Sequence, residues 1–137
     1  MPGDPERVAE TQSWLVKALA DLRAAECLLA LQPPLTGLAL FHAQQAAEKA
    51  LKAFLSWHDV PFRKTHDLSV LGQQCLAIDR TLEDLCRRVA QLTVFAWLFR
   101  YPGEVEEPPL EEAREDLALA REVYEAVLAR LPEEVRP

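Results

Sequence analysis

The sequence predicts an all-α fold, an up-and-down antiparallel four-helix bundle with an additional short helix. Glycine supplies only 4 of the 137 residues, too few for a chain of hairpin turns or a glycine-rich phosphate loop. Alanine, leucine, glutamate and arginine dominate, and these side chains lose little rotamer freedom in a helix. The length indicates one domain over residues 1–137, with residues 1–6 as an N-terminal tail.

Prolines separate the chain into five runs of helical periodicity. A proline inside a helix costs about 3 kcal/mol, and the prolines lie before the first run, between runs or after the last one. The first run, 7–31, and the second, 35–58, each place leucines and alanines on one stripe at spacings of three and four. Each stripe predicts a long helix with one buried face.

The third run, 65–77, is shorter. It begins at Thr65, whose hydroxyl is placed to cap the free amides of the next residues. The fourth run, 81–99, and the fifth, 110–131, again show apolar residues at helical spacing. Four helices of roughly 20 residues with brief connections are typical of a helix bundle.

Charge is distributed unevenly along the chain. The formal net charge is −7; residues 103–137 carry four basic and eleven acidic residues, whereas residues 60–102 carry six and four. The overall balance argues against DNA and against broad attraction to phosphate backbones. The mildly basic middle of the chain leaves room for a local anion site.

Cysteine usage and hydropathy indicate a cytoplasmic protein. Cys27, Cys75 and Cys86 have no Cys-x-x-Cys spacing and lie in partly apolar helical contexts, which predicts free, buried thiols in a reducing compartment. The N-terminus lacks the pattern of a signal peptide, and no stretch approaches the ~18 apolar residues of a membrane-spanning helix. We therefore expect no association with a membrane.

The second run carries an unusual polar stripe. Gln45, Glu48, Lys49 and Lys52 share one face of the predicted helix, and Glu48 and Lys52 have the favourable order of an i,i+4 ion pair. A polar stripe of this kind is often a solvated face. The surrounding alanines give the helix little bulk, however, so a ligand or a partner helix can approach it closely.

Two further segments have a structural and a functional interpretation. His66 and Asp67 follow Thr65 at a predicted helix start, where free amides favour an anion, but the same residues suit simple capping. Arg100 and Tyr101 end the fourth run, either as a structural stop before proline or as a clamp for phosphate and base.

Several signatures of enzymes and metal sites are absent from the sequence. It has no His-Glu-x-x-His, Gly-x-Ser-x-Gly, Walker loop or Gly-x-Gly-x-x-Gly, and its three histidines lack the spacing of metal ligands. We therefore expect neither a metal nor a cofactor.

Three short motifs resemble those of the HEPN domain family, small helical proteins often encoded beside minimal nucleotidyltransferases in bacteria and archaea. The motifs are Phe41-His-Ala-Gln-Gln-Ala-Ala-Glu-Lys-Ala-Leu-Lys-Ala-Phe-Leu, then Lys64-Thr-His-Asp-Leu, then Phe99-Arg-Tyr-Pro. Each motif alone is weak, but the three follow the family's order and cover most of the chain.

The resemblance implies an up-and-down bundle of four to five helices that forms a dimer or a higher assembly, and we expect a homodimer. It further implies a partner of a minimal nucleotidyltransferase in a toxin–antitoxin-like pair, or a domain that binds nucleotide or RNA. Carried over by motif, the nucleotide- or partner-binding residues are Gln45, Glu48, Lys49, Lys52, Thr65, His66, Asp67, Arg100 and Tyr101. In this family context Tyr101 is also a candidate acceptor of a nucleotidyl group.

One feature of the wider superfamily is missing. Its ribonuclease members carry a late arginine followed, four to six residues on, by a histidine, whereas no histidine follows Arg100. RNA cleavage needs one group to activate the 2′-hydroxyl and another to protonate the leaving oxygen. We therefore favour a non-catalytic interaction module. The alternatives are a metal-independent ribonuclease in which Arg100 and His66 are catalytic, and a structural dimer whose motif residues only brace the helices.

Overall fold

The computed structural model describes residues 4–99, 102–103 and 106–137, and this part of the chain contains helices and no strand. Its α-helices are α1 (Pro5–Ala30), α2 (Thr36–Trp57), α3 (Leu68–Ile78), α4 (Glu83–Val89) and α5 (Leu110–Ala129). Its 3-10 helices are Arg80–Leu82, Ala90–Ala96 and Glu133–Val135. Within the same ranges no helix is both long and apolar enough to cross a membrane. The all-α prediction is confirmed, and the up-and-down four-helix arrangement stays a prediction.

Helix α2 is at the centre of the core. Of its 22 residues, 16 are buried, and it packs mainly against α1 and α5, with α3 and the 3-10 helix Ala90–Ala96 also in contact. Alanines on several sides of α2 allow its neighbours to approach, and Leu15 and Leu22 of α1 and Val127 of α5 fill the space between them. Because α2 is enclosed in this way, several of its polar residues are buried too, among them Gln44, Glu48 and Lys52.

Local capping explains where α1 and α3 begin. At α1, Asp4 accepts a hydrogen bond from the Glu6 N–H at 3.0 Å, and Pro5 occupies the first helical position. At α3 the cap is Asp67, which accepts from the Ser69 N–H at 2.9 Å. The predicted cap, Thr65, accepts instead from the Asp67 N–H at 3.0 Å, so α3 begins three residues later than predicted.

The start of α2 is capped by a distant residue. Leu35, just before the helix, has no polar side chain, and Glu107 Oε2 accepts from the Gly37 N–H at 2.6 Å and from the Thr36 hydroxyl at 3.3 Å. A Cβ on Gly37 would lie 2.5 Å from this oxygen and 2.9 Å from Phe99 Cγ, so only glycine leaves room for the carboxylate. The acidic segment before α5 is thereby tied to α2.

The prediction of one long fourth helix is wrong. Over the predicted run 81–99, α-helix is confined to α4, and the chain continues as the 3-10 helix Ala90–Ala96. Thr93, Val94 and Phe95 are β-branched or aromatic and have low helix propensity. The Thr93 hydroxyl also accepts a hydrogen bond from the Leu68 N–H at 3.0 Å. This contact with the start of α3 favours the tighter 3-10 helix over the α-helix.

The buried-thiol prediction holds for two of the three cysteines. Cys75 and Cys86 are buried, whereas Cys27 is exposed. Burial raises the pKa of the Cys75 and Cys86 thiols, which disfavours the reactive thiolate. Cys27 lies on the solvent face of α1, which the partly apolar neighbourhood in sequence did not reveal.

Candidate functional site

Glu48, in the middle of α2, is the centre of a buried polar cluster. It is only 3% exposed, and its carboxylate is matched by three donors. Oε1 faces His66 Nδ1 at 2.7 Å and accepts from Gln44 Nε2 at 3.2 Å, while Oε2 accepts from Lys52 Nζ at 3.0 Å. A buried carboxylate is costly unless it is paired and hydrogen-bonded. The three donors meet that requirement.

Lys52, one helical turn after Glu48, lies against two aromatic rings. Its Nζ is 5.3 Å from the centroid of the Trp14 ring and 5.7 Å from that of Phe62, and the two rings meet edge to face at 5.9 Å. Lys52 is 5% exposed. Cation–π attraction gains strength where the ammonium group is desolvated. Lys52 therefore neutralises Glu48 from within the fold and does not reach solvent.

His66 lies in the extended segment just before α3, and several contacts fix its position. Gln44 Nε2 donates to the His66 carbonyl oxygen at 3.0 Å. The turns made by Thr65 and Asp67 hold the backbone on either side. The His66 side chain is 54% exposed although its Nδ1 faces Glu48. The Nε2 edge of the ring is thus the edge open to solvent.

A second polar group joins α1 to α2. Asp21 of α1 is 8% exposed; its Oδ1 faces His42 Nδ1 at 2.8 Å, and its Oδ2 accepts from Lys49 Nζ at 2.6 Å. The side chains of His42 and Lys49 are 27% and 22% exposed. Gln45 Nε2 donates to Gln44 Oε1 at 2.7 Å, which extends the polar network around α2.

The arrangement is suited to holding an imidazole in one orientation. A ring nitrogen that faces a carboxylate carries the proton, so Glu48 fixes the tautomer of His66 and leaves Nε2 free. That nitrogen accepts a proton when the ring is neutral and donates to an anionic oxygen when the ring is protonated. Among the described side chains, no group of three or more histidines, cysteines, aspartates or glutamates is placed to hold a metal ion.

A comparison with family models identifies the domain. The family model described as HEPN domain matches residues 11–131 of the 137-residue chain. The chain belongs to the HEPN domain family. No curated protein and no solved structure gives a significant match. The matched stretch includes both polar groups, so they are part of the HEPN domain itself.

The HEPN domain brings the predicted residues of α2 into contact with one another. Glu48 and Lys52 form the predicted i,i+4 ion pair, but both are buried, so the interpretation of this stripe as a solvated face is wrong for them. Their burial follows from the packing of α1 and of the segment before α3 over this face. Lys49 pairs with Asp21, and Gln45 joins the network at its edge.

The other predicted residues divide into two sets. His66 contacts Glu48 directly, whereas Thr65 and Asp67 shape the turn that carries His66. Arg100 and Tyr101 lie outside the described residues of the HEPN domain. Their place relative to the cluster therefore stays a prediction.

Three residues of the two polar groups were missed by the sequence analysis. Asp21 lies beside Leu22 on the apolar stripe of α1, and an acidic residue in such a stripe signals a buried partner. His42 precedes Lys49 by seven residues and so shares its helix face. Gln44 precedes Glu48 by four residues. These spacings were visible, but the partner helix was not.

Proposed function

We propose that this HEPN protein is a non-catalytic interaction module of the cytoplasm. In this proposal it forms a homodimer, partners a minimal nucleotidyltransferase in a toxin–antitoxin-like pair and binds nucleotide beside Glu48 and His66. The observation that carries the proposal is the Glu48–His66 pair, a buried carboxylate that orients a half-exposed imidazole. When an imidazole held in this way is protonated, its outward Nε2–H donates to a phosphate oxygen. Family membership supports the proposed partner.

The distribution of histidines supports a non-catalytic role. The family's ribonuclease pattern needs a histidine shortly after a late arginine, and no histidine follows Arg100. Of the three histidines, His66 alone contacts Glu48. Cleavage of RNA requires both proton removal and proton donation. The late histidine that the family's ribonucleases supply for this chemistry is absent from the sequence.

The native mass of the protein, purified gently from its own cells with a tag at one end, tests the proposed partnership. We expect a complex with two copies of this chain and a second, small chain whose peptides identify a nucleotidyltransferase. An unrelated protein with the same tag, purified in parallel, serves as the control. A homodimer with nothing attached would contradict the partnership and leave the nucleotide site to be tested on its own.

Thermal unfolding with and without ATP tests the nucleotide site. A ligand at 100 times its dissociation constant stabilises a folded protein by about 2.7 kcal/mol, which is an easily measured rise in Tm. We expect this rise for the wild type and for His58→Asn, and its loss in His66→Asn. If ATP leaves the wild-type Tm unchanged, the cluster only braces the helices, and the structural-dimer interpretation is the better one.

The alternative, a ribonuclease, is favoured by one observation: the Nε2 edge of His66 is oriented and accessible for proton transfer. We expect total RNA to remain intact when it is incubated with the purified protein. Cleavage by the wild type and by His58→Asn, together with its loss in His66→Asn, would establish the ribonuclease instead. Cleavage that survives His66→Asn would point to a contaminant.

A further inference from the structure

The described residues contain the same polar arrangement twice. Each copy has a buried carboxylate with a lysine on one oxygen and a histidine, bound through Nδ1, on the other. The two carboxylates are 3% and 8% exposed, so both copies are built into the fold. The Glu48 centre consists of Glu48, Lys52 and His66, and the Asp21 centre consists of Asp21, Lys49 and His42.

The two centres are neighbours on α2. Glu48 belongs to one centre and Lys49, the next residue, belongs to the other. Glu48 lies six positions after His42, which corresponds to about 9 Å along the helix axis.

The net charge of each centre depends on whether its histidine is protonated. The lysine and the carboxylate cancel, so a protonated imidazole adds one net positive charge to its centre. The Nε2–H of a protonated imidazole donates a charge-assisted hydrogen bond to a phosphate oxygen. Two protonated imidazoles provide two such donors and two net positive charges.

We infer that the Asp21 centre is a second anion-binding position beside the Glu48 centre, and that the ligand is an anion with at least two phosphate groups. The inference rests on the proposed nucleotide binding at the Glu48 centre and extends it to His42, a residue that the sequence motifs did not assign to the site. His42 and Lys49 are partly exposed, at 27% and 22% of their side chains, so a ligand has access to this centre.

Calorimetric titration of the full chain with inorganic triphosphate and with orthophosphate tests the inference. We expect triphosphate to bind the wild type at least about tenfold more tightly than orthophosphate. His42→Asn and His66→Asn should each weaken triphosphate binding by about tenfold or more, since each removes one charge-assisted hydrogen bond. The third histidine provides the matched control: the His58 ring lies tilted against Phe54, with the ring centroids 4.6 Å apart, and His58→Asn should leave the affinity unchanged.

The outcomes separate this inference from the proposed function. Weaker binding in His66→Asn with unchanged binding in His42→Asn would overturn the second centre and leave the first intact. If neither triphosphate nor ATP binds the wild type, both proposals fail. Should His42→Asn not fold, Lys49→Gln replaces it, because it leaves the Asp21 charge unbalanced and should weaken triphosphate binding by a similar factor. Parallel titrations with ATP and a short oligoribonucleotide show which source supplies the phosphates.

Discussion

The Lys52→Met substitution tests how much the stability of the fold depends on the lysine that pairs with the buried Glu48 carboxylate. Methionine keeps most of the apolar stem beside Trp14 and Phe62 but removes the ammonium group 3.0 Å from Glu48 Oε2. Breaking a buried ion pair by removing one partner costs about 3–5 kcal/mol. Because Gln44 and His66 still donate to the carboxylate, we expect the lower end, about 3 kcal/mol. For a domain of this size that loss lowers Tm by roughly 10 °C.

Urea denaturation followed by far-ultraviolet circular dichroism measures this change. The informative comparison is the double variant Glu48→Gln/Lys52→Met, which removes both charges. Its free energy of unfolding should lie closer to the wild-type value than that of Lys52→Met alone, since no uncompensated charge remains. A loss below about 1 kcal/mol in Lys52→Met, or a double variant less stable than that single variant, would refute the reasoning.

Three further predictions follow from the fold. Glu107→Gln weakens the cap on the Gly37 N–H and should lower the free energy of unfolding by about 1–2 kcal/mol, measured by thermal unfolding. The control Glu106→Gln, at the neighbouring exposed position, should change it by less than about 0.5 kcal/mol. Equal effects of the two substitutions would argue against the cap. Burial, and then two neighbouring glutamates, raises the pKa of Asp116 from 3.8 to about 6. The folded state then binds the proton more tightly than the unfolded chain, so this group destabilises the fold above about pH 6, and the penalty disappears as the pH falls to about 4. Asp116→Asn should therefore stabilise the protein at pH 7 by roughly 1 kcal/mol, allowing for partial exposure, and lose this advantage near pH 4; a constant difference would contradict the assignment. In a thiol titration of the native protein Cys27 should react first, and the two buried cysteines only after unfolding; three fast thiols would show that the core is open.

The helical fold could be predicted because its causes are local. Composition, proline positions and the spacing of apolar residues depend only on nearby sequence, and they placed α1, α2 and α5 to within a few residues. The i,i+4 pair of Glu48 and Lys52 is local in the same sense. Family motifs added His66, whose contact with Glu48 joins positions 18 residues apart.

The remaining features depend on tertiary contacts that periodicity does not encode. Glu48 and Lys52 of the polar stripe are buried because other segments pack over them, and Asp21 reaches His42 from a different helix. The fourth run departs from α-helix where Thr93 bonds to the start of α3. The cap of α2 comes from Glu107, 70 residues beyond Gly37. In each case the deciding partner is remote in sequence.

The proposed function depends most directly on the orientation of His66. A long-range 1H–15N spectrum of the imidazole nitrogens, recorded with and without ATP, measures that orientation and its response to ligand. We predict that the neutral ring carries its proton on Nδ1, towards Glu48, and that ATP shifts the Nε2 resonance. A neutral ring protonated on Nε2, or an Nε2 resonance that ignores saturating ATP, would contradict the proposed site.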